Sequence, residues 1–206
     1  MSNTYTFNKN NMSFIHIPKS AGTSLGSIIN KYNLPIRYGA HEPISNLCPP
    51  GMYKYILIIR DPISRVISYY NMVKRNGKNY PYNKYTSSMS IFLQNCFEVR
   101  NLMTLYLSGL TVDELRDKYN NVVGEEIYNI ALSNLKQVYK VIIFEQFAEQ
   151  ITDFIYKEFN ISILSAPHER RVTEINNIPI EDINIIKQYN QYDIKLWDYA
   201  RSHYIV

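Results

Sequence analysis

The residues best suited to chemistry lie in Phe14-Ile-His-Ile-Pro-Lys-Ser-Ala-Gly-Thr-Ser-Leu25. A short apolar run stops at Pro18, a single lysine follows, and a turn of small residues leads into a helical pattern. Such a turn aims backbone N–H groups, a helix N-terminus and an ammonium at one place, which is what a phosphate group needs. The alternative is a plain strand–turn–helix connection with an exposed lysine. A second cation, Arg60, stands at the end of the apolar run Tyr55-Ile-Leu-Ile-Ile59.

The order of residues narrows the phosphate chemistry. A nucleoside-triphosphatase loop of the form GxxxxGK[ST] places its lysine after the glycines, whereas Lys19 precedes Gly22. The strand ending at Ile59 is followed by Arg60, where a magnesium-binding enzyme of that class needs an acid. Asp61 comes one place late and is explained as a helix cap ahead of Pro62. A cation at this strand end implies phosphates neutralised by protein groups rather than by Mg²⁺.

With those residues in view, His16-Ile-Pro-Lys-Ser-Ala-Gly-Thr-Ser24 resembles the 5′-phosphosulfate loop of sulfotransferases that use 3′-phosphoadenosine-5′-phosphosulfate (PAPS), closest to the branch of heparan-sulfate 2-O-sulfotransferase and its microbial relatives. Arg60-Asp-Pro-Ile-Ser-Arg-Val-Ile-Ser-Tyr-Tyr70 is similar to the same family's 3′-phosphate motif. Asn101–Gly109 and Val141–Phe147 resemble later, less specific family blocks, so the resemblance runs from about residue 13 to the C-terminus.

The resemblance implies PAPS as sulfonate donor, PAP as product and no metal. It also implies a hydroxyl-bearing acceptor, taken here as a carbohydrate. Lys19 then contacts the 5′-phosphate and the bridging oxygen, while the amides of Ser20, Ala21, Gly22, Thr23 and Ser24, with the Thr23 and Ser24 hydroxyls, hold the 5′-phosphate. Arg60 and Ser68 take the 3′-phosphate; Ser68 falls about two helical turns beyond Asp61, on the same side. Against this, Arg60 pairs with a carboxylate and Ser68 is a helix-surface residue.

His41 resembles a Gly-x-His element that carries the general base in related enzymes, and an imidazole suits that task near neutral pH. A structural histidine or a substrate contact is the alternative for His41, and Glu42 is the fallback base or a substrate contact. His16 sits within the first strand and is taken as structural. Arg65 either joins the substrate site or forms a salt bridge, and Glu145 has no assigned role. Arg170 and Arg171 form a basic pair in a loop that closes over the nucleotide or is simply solvated.

These residues need elements to position them. Phe14–Ile17, Pro35–Gly39, Tyr53–Ile59 and Val138–Phe144 are expected strands, the third and fourth buried on both faces. Helices are expected at about 23–32, 62–74, 90–97, 100–107, 112–119, 125–135, 145–159, 181–189 and 192–203. The polar stretch Asn76–Ser88 reads as a mobile loop over the site. Alternation of strands and helices predicts an α/β, three-layer, P-loop-like domain, with a mostly parallel sheet flanked by helices and a helical C-terminal part. One domain over residues 1–206 is expected, with residues 1–12 a flexible polar N-terminus.

Composition excludes several classes. The two cysteines, Cys48 and Cys96, form no CxxC pair and are expected to be reduced thiols rather than zinc ligands. No signal peptide and no apolar run near the ~20 residues of a membrane span is seen, so the chain is expected to be soluble and cytoplasmic. The net charge of +4 suits an anionic ligand, yet the basic residues are scattered rather than striped, which argues against nucleic acid. With nineteen tyrosines throughout the chain, no single tyrosine carries functional weight at this level. Two rival functions stand beside sulfonate transfer: a non-catalytic nucleotide or polyanion binder of the same fold, and a small-molecule kinase.

Overall fold

The computed structural model describes residues 12–38, 41, 43–44, 53–163 and 178–205. Glu42, Arg170, Arg171, Cys48 and the polar stretch 1–11 lie outside the described residues. In chain order the elements are β1 (Met12–Ile15), α1 (Gly22–Tyr32), β2 (Ile36–Arg37), β3 (Lys54–Ile59), α2 (Pro62–Asn76), α3 (Met89–Asn95), α4 (Leu102–Ser108), α5 (Val112–Tyr119), α6 (Glu125–Gln137), β4 (Lys140–Ile143), α7 (Phe147–Phe159), α8 (Ile180–Tyr189) and α9 (Gln191–Tyr204).

The four strands form one parallel sheet in the order β2-β1-β3-β4. From Tyr55 onward strand β3 is apolar and buried because both of its faces are covered. Tyr55, Leu57 and Ile59 point into a core shared with Leu105, Ala131 and Leu196 of α4, α6 and α9. Ile56 and Ile58 point the other way, against Leu25 and Ile28 of α1 and Ile151 and Phe154 of α7. A third cluster joins α2, α3 and α8 through Val66, Phe92 and Ile186. This is the expected three-layer α/β architecture.

Local chemistry sets the element ends. The Asp61 carboxylate accepts the Ser64 N–H at 2.7 Å and Pro62 occupies the first helical position, so α2 starts directly beyond Arg60. Thr111 and Glu114 form a capping box for α5, whose bounds match the sequence expectation.

Two expectations are corrected. Strand β1 covers Met12–Ile15 rather than Phe14–Ile17, which leaves His16 beyond the strand end, and Met12 belongs to the sheet rather than to the polar terminus. Nor is the stretch 76–88 an open loop: it is wound into two 3-10 turns, Gly77–Asn79 and Asn83–Tyr85. The Tyr70 hydroxyl donates to the Thr86 carbonyl at 2.8 Å, and the Tyr69 and Tyr80 hydroxyls pair at 3.2 Å. Among the described residues no helix is long and apolar enough to cross a membrane.

The order of strands places the site. From β1 the chain crosses through α1 to β2 on one side, while β3 lies on the other. Loops leaving β1 and β3 therefore diverge, and in open parallel sheets the crevice between such loops is where ligands bind. Both phosphate-type stretches of the sequence emerge there.

Candidate active site

The loop after β1 is built from strained backbone. Lys19 (φ 70°) and Ala21 (φ 54°) both adopt the left-handed region, which costs about 1–3 kcal/mol each for residues with a Cβ. Alternation into that region turns successive N–H groups toward one side and makes an anion-binding concavity. Ala21 is also the N-cap of α1, yet no side chain caps the helix and no acid lies in its first turn. The first amides of α1 thus lack intrahelical partners and face the loop. One amide does not contribute: the Ser20 N–H is already donated to the Ile17 carbonyl at 3.2 Å.

Gly22 is required by close approach. A Cβ there would stand 1.8 Å from Nε2 of His16, so only a bare Cα fits beneath the imidazole. The His16 ring stacks on Tyr38 at 5.4 Å between centroids and meets the His41 ring at 4.2 Å. His16 thus lies on the cavity wall and links the loop to His41.

Arg60 braces the same loop from β3. It is buried, its guanidinium donates to the Lys19 carbonyl at 2.9 Å, and its Cζ lies 4.1 Å from the centre of the Phe144 ring. Burial draws its pKa down to about 10, which leaves it protonated at neutral pH. Glu145, beyond β4, accepts the Asp61 N–H at 3.2 Å; burial raises its pKa, and the backbone N–H groups it accepts and the charge of Arg60 oppose the rise. Among the described residues Nε of Arg60, Oγ of Ser20, and Nε and Nη1 of Arg65 are buried with no hydrogen-bond partner, and of these only Arg60 lines the cavity. Since buried polar groups are almost always paired, the orphan on Arg60 needs a cause, and a bound anion is one.

These groups open on a cavity of 450 Å³, within the range of about 300–1,000 Å³ for small-ligand sites. Lys19, Thr23, Ser24, Arg60, Ser68 and His41 all line it, as do Ala21 and Gly22. Ser20 is fully buried beneath the loop and does not. His41 has its pKa lowered, first by burial and then by the positive charge of Lys19, so the imidazole is neutral at pH 7 and has a lone pair to accept a proton. Its carbonyl accepts a hydrogen bond from the Tyr106 hydroxyl at 3.2 Å, which ties the histidine to α4.

Arg65 takes the salt-bridge alternative. It has no exposed surface, does not line the cavity, and pairs with Asp193 of α9 at 3.4 Å while donating to the Val99 carbonyl at 2.7 Å. Burial pulls the two pKa values toward neutrality, raising Asp193 and lowering Arg65. Asp193 also accepts the Met103 and Thr104 N–H groups and the Thr104 hydroxyl, which favour its charged form. Asn101 and Asn190 extend this network, each accepting backbone N–H groups of the other's segment.

Among the wall residues the sequence does not single out are Glu98, Tyr106 and Tyr80, although Tyr80 falls in the stretch 76–88 expected over the site and Tyr106 in the block 101–109. They come from segments far from either phosphate motif, and no local pattern marks them. Among the described residues no cluster of His, Cys, Asp or Glu could hold a metal ion, and Cys96 is a buried free thiol.

An uncapped helix, a strained loop and two cations at adjacent strand ends meet in one cavity at the switch point of an α/β sheet. Residues 2–200 match the family model for the sulfotransferase family. The chain belongs to that family and is an enzyme of sulfonyl transfer. No curated protein matches it.

Proposed function

We propose that the protein moves the sulfonate of PAPS to the hydroxyl of an acceptor, a carbohydrate in the reading favoured here, by in-line displacement without a metal. The observation that carries this is the meeting, in one cavity, of Lys19, the uncapped N-terminus of α1, Arg60 with its orphaned Nε, Ser68 and a neutral His41. The residues fit the donor. Lys19, Thr23 and Ser24 with the first α1 amides would hold the 5′-phosphosulfate, and Arg60 and Ser68 the 3′-phosphate. A guanidinium and a hydroxyl at the second strand end suit a ligand with two separated phosphates better than a triphosphate chain.

When bound, PAPS supplies a sulfuryl group joined to a good phosphate leaving group. Lys19, fixed by its left-handed backbone, stabilises the negative charge that grows on the bridging oxygen. His41 accepts the acceptor's hydroxyl proton as the new S–O bond forms and the S–O bond to phosphate breaks. The α1 amides and Arg60 hold the departing bisphosphate, so charge is met by fixed dipoles rather than reorganised water. Of the rival functions, the non-catalytic binder leaves the neutral His41 beside Lys19 without a purpose, and the kinase leaves Arg60 where metal binding is needed.

A ligand that binds only the native state raises the melting temperature by mass action, about 2.7 kcal/mol of stabilisation at a hundredfold excess over Kd. Saturating PAP should therefore raise Tm equally in EDTA and in Mg²⁺. No shift with PAP, or a shift that needs Mg²⁺, would sink the donor assignment.

A further inference from the structure

The described wall of the cavity divides by element. Every fully cationic side chain on it, Lys19 and Arg60, belongs to the two phosphate loops. Apart from His16, His41, Phe144 and Phe147, the rest of the described wall comes from the second half of α2, the 3-10 turns after it, the turn Phe97–Val99, α4 and the start of α5. There the side chains are Tyr69, Tyr80, Tyr106 and apolar residues, with a single charge, the carboxylate of Glu98.

That carboxylate is held by a hydrogen bond, and the backbone beside it is anchored. The Tyr82 hydroxyl donates to Oε1 of Glu98 at 2.7 Å. The next carbonyl along the chain, that of Val99, accepts from the fully buried Arg65, itself locked to Asp193 of α9. Among the described residues no hydrogen bond reaches Oε2 of Glu98, so this half-buried side chain on the cavity wall keeps acceptor capacity for a ligand. A fixed carboxylate with tyrosine faces around it accepts hydrogen bonds from hydroxyls and stacks on a ring, and it repels another carboxylate or a sulfate.

We infer that Glu98 is a specificity-determining residue that selects an uncharged, hydroxyl-bearing ring, such as a neutral sugar, as acceptor and rejects anionic glycans. This rests on the sulfonate-transfer reading above and names the substrate class of that site. It departs from the polyanionic acceptor that a heparan-sulfate-type branch would imply: such a chain needs cations along the acceptor wall, and the described wall offers an acid.

A matched pair of acceptors tests it. p-Nitrophenyl β-glucoside and p-nitrophenyl β-glucuronide differ by one carboxylate, and both can be followed by labelled-PAPS transfer and by saturation-transfer NMR on the PAP-loaded protein. The full-length enzyme should favour the glucoside in kcat/KM by about tenfold or more. In Glu98→Gln, an isosteric change, that preference should shrink to about threefold or less while the PAP-induced Tm shift stays unchanged. Tyr82→Phe, which frees Glu98 without removing its charge, should weaken binding of the glucoside in the NMR readout and keep the discrimination. Preference for the glucuronide, an unchanged ratio in Glu98→Gln, or no binding of either compound to the PAP-loaded protein would overturn the inference. Each of these leaves the PAP shift in place, whereas loss of that shift in the unaltered protein strikes the donor reading instead.

Discussion

The two sides of the cavity are made by different means. The phosphate side consists of residues adjacent in the chain, Pro18–Ser24 and Arg60–Ser68, carried directly on the ends of β1 and β3. Its tools are backbone: left-handed Lys19 and Ala21, uncapped amides, and a glycine beneath an imidazole. The Glu98 side is made of side chains from segments scattered along the chain and held by a buried polar network, in which Arg65 meets Asp193 across 128 residues of sequence. In the function proposed above, backbone dipoles hold the phosphates of the donor, and side chains on separately anchored segments, free to differ, carry the choice of acceptor.

The largest expected effect breaks the second side through its anchor. Asp193→Ala leaves Arg65 charged, buried and unpaired, and frees the Met103 and Thr104 amides. Losing one partner of a buried pair costs about 3–5 kcal/mol, so chemical denaturation should show a loss of that order. A loss below about 1 kcal/mol, the value of a surface pair, would show that the network does not hold the wall.

A smaller effect sharpens the chemistry where the two sides meet. His41→Ala should lower kcat by about 10²–10⁴-fold while leaving the PAP-induced Tm shift intact. The His41 pKa lies below its ordinary 6.5, so the base is unprotonated across the neutral range. Activity should therefore hold steady as pH falls to about 6.5 and decline below it as the imidazole takes up a proton, with the limb absent in His41→Ala. An acid limb centred above 6.5, or one that survives the substitution, would remove His41 as the base.

The same contrast explains what the sequence made legible. Strand β3 and helix α2 were readable because a continuous apolar run ends in Arg60-Asp61-Pro62, where burial, cap and first helical residue agree. The phosphate side was readable because its residues are neighbours with fixed spacing. The left-handed Lys19 and Ala21 were not, since neither is glycine and neither carries a local sign of positive φ. The apolar alternation continues to Ile17 and puts His16 within the strand, whereas pairing in the sheet stops at Ile15. By position Ser20 belongs among the cradle amides, but the turn uses its N–H internally. Arg65 and Glu98 depend on α9 and on the turn after α3, and long-range partners leave no periodicity to read.

The central claim is that the two strand ends divide one bisphosphate nucleotide between them, with Arg60 on the 3′-phosphate. The direct measurement is the Kd of Arg60→Ala for PAP and for adenosine 5′-phosphate, each against the unaltered protein. Because Arg60 also braces the Lys19 carbonyl, some loss for both nucleotides is expected, and the ratio isolates the 3′-phosphate. The account predicts that PAP weakens about ten- to hundredfold more than adenosine 5′-phosphate, the worth of a charge-assisted contact. Equal weakening of the two would contradict it and leave Arg60 as a brace for the loop alone.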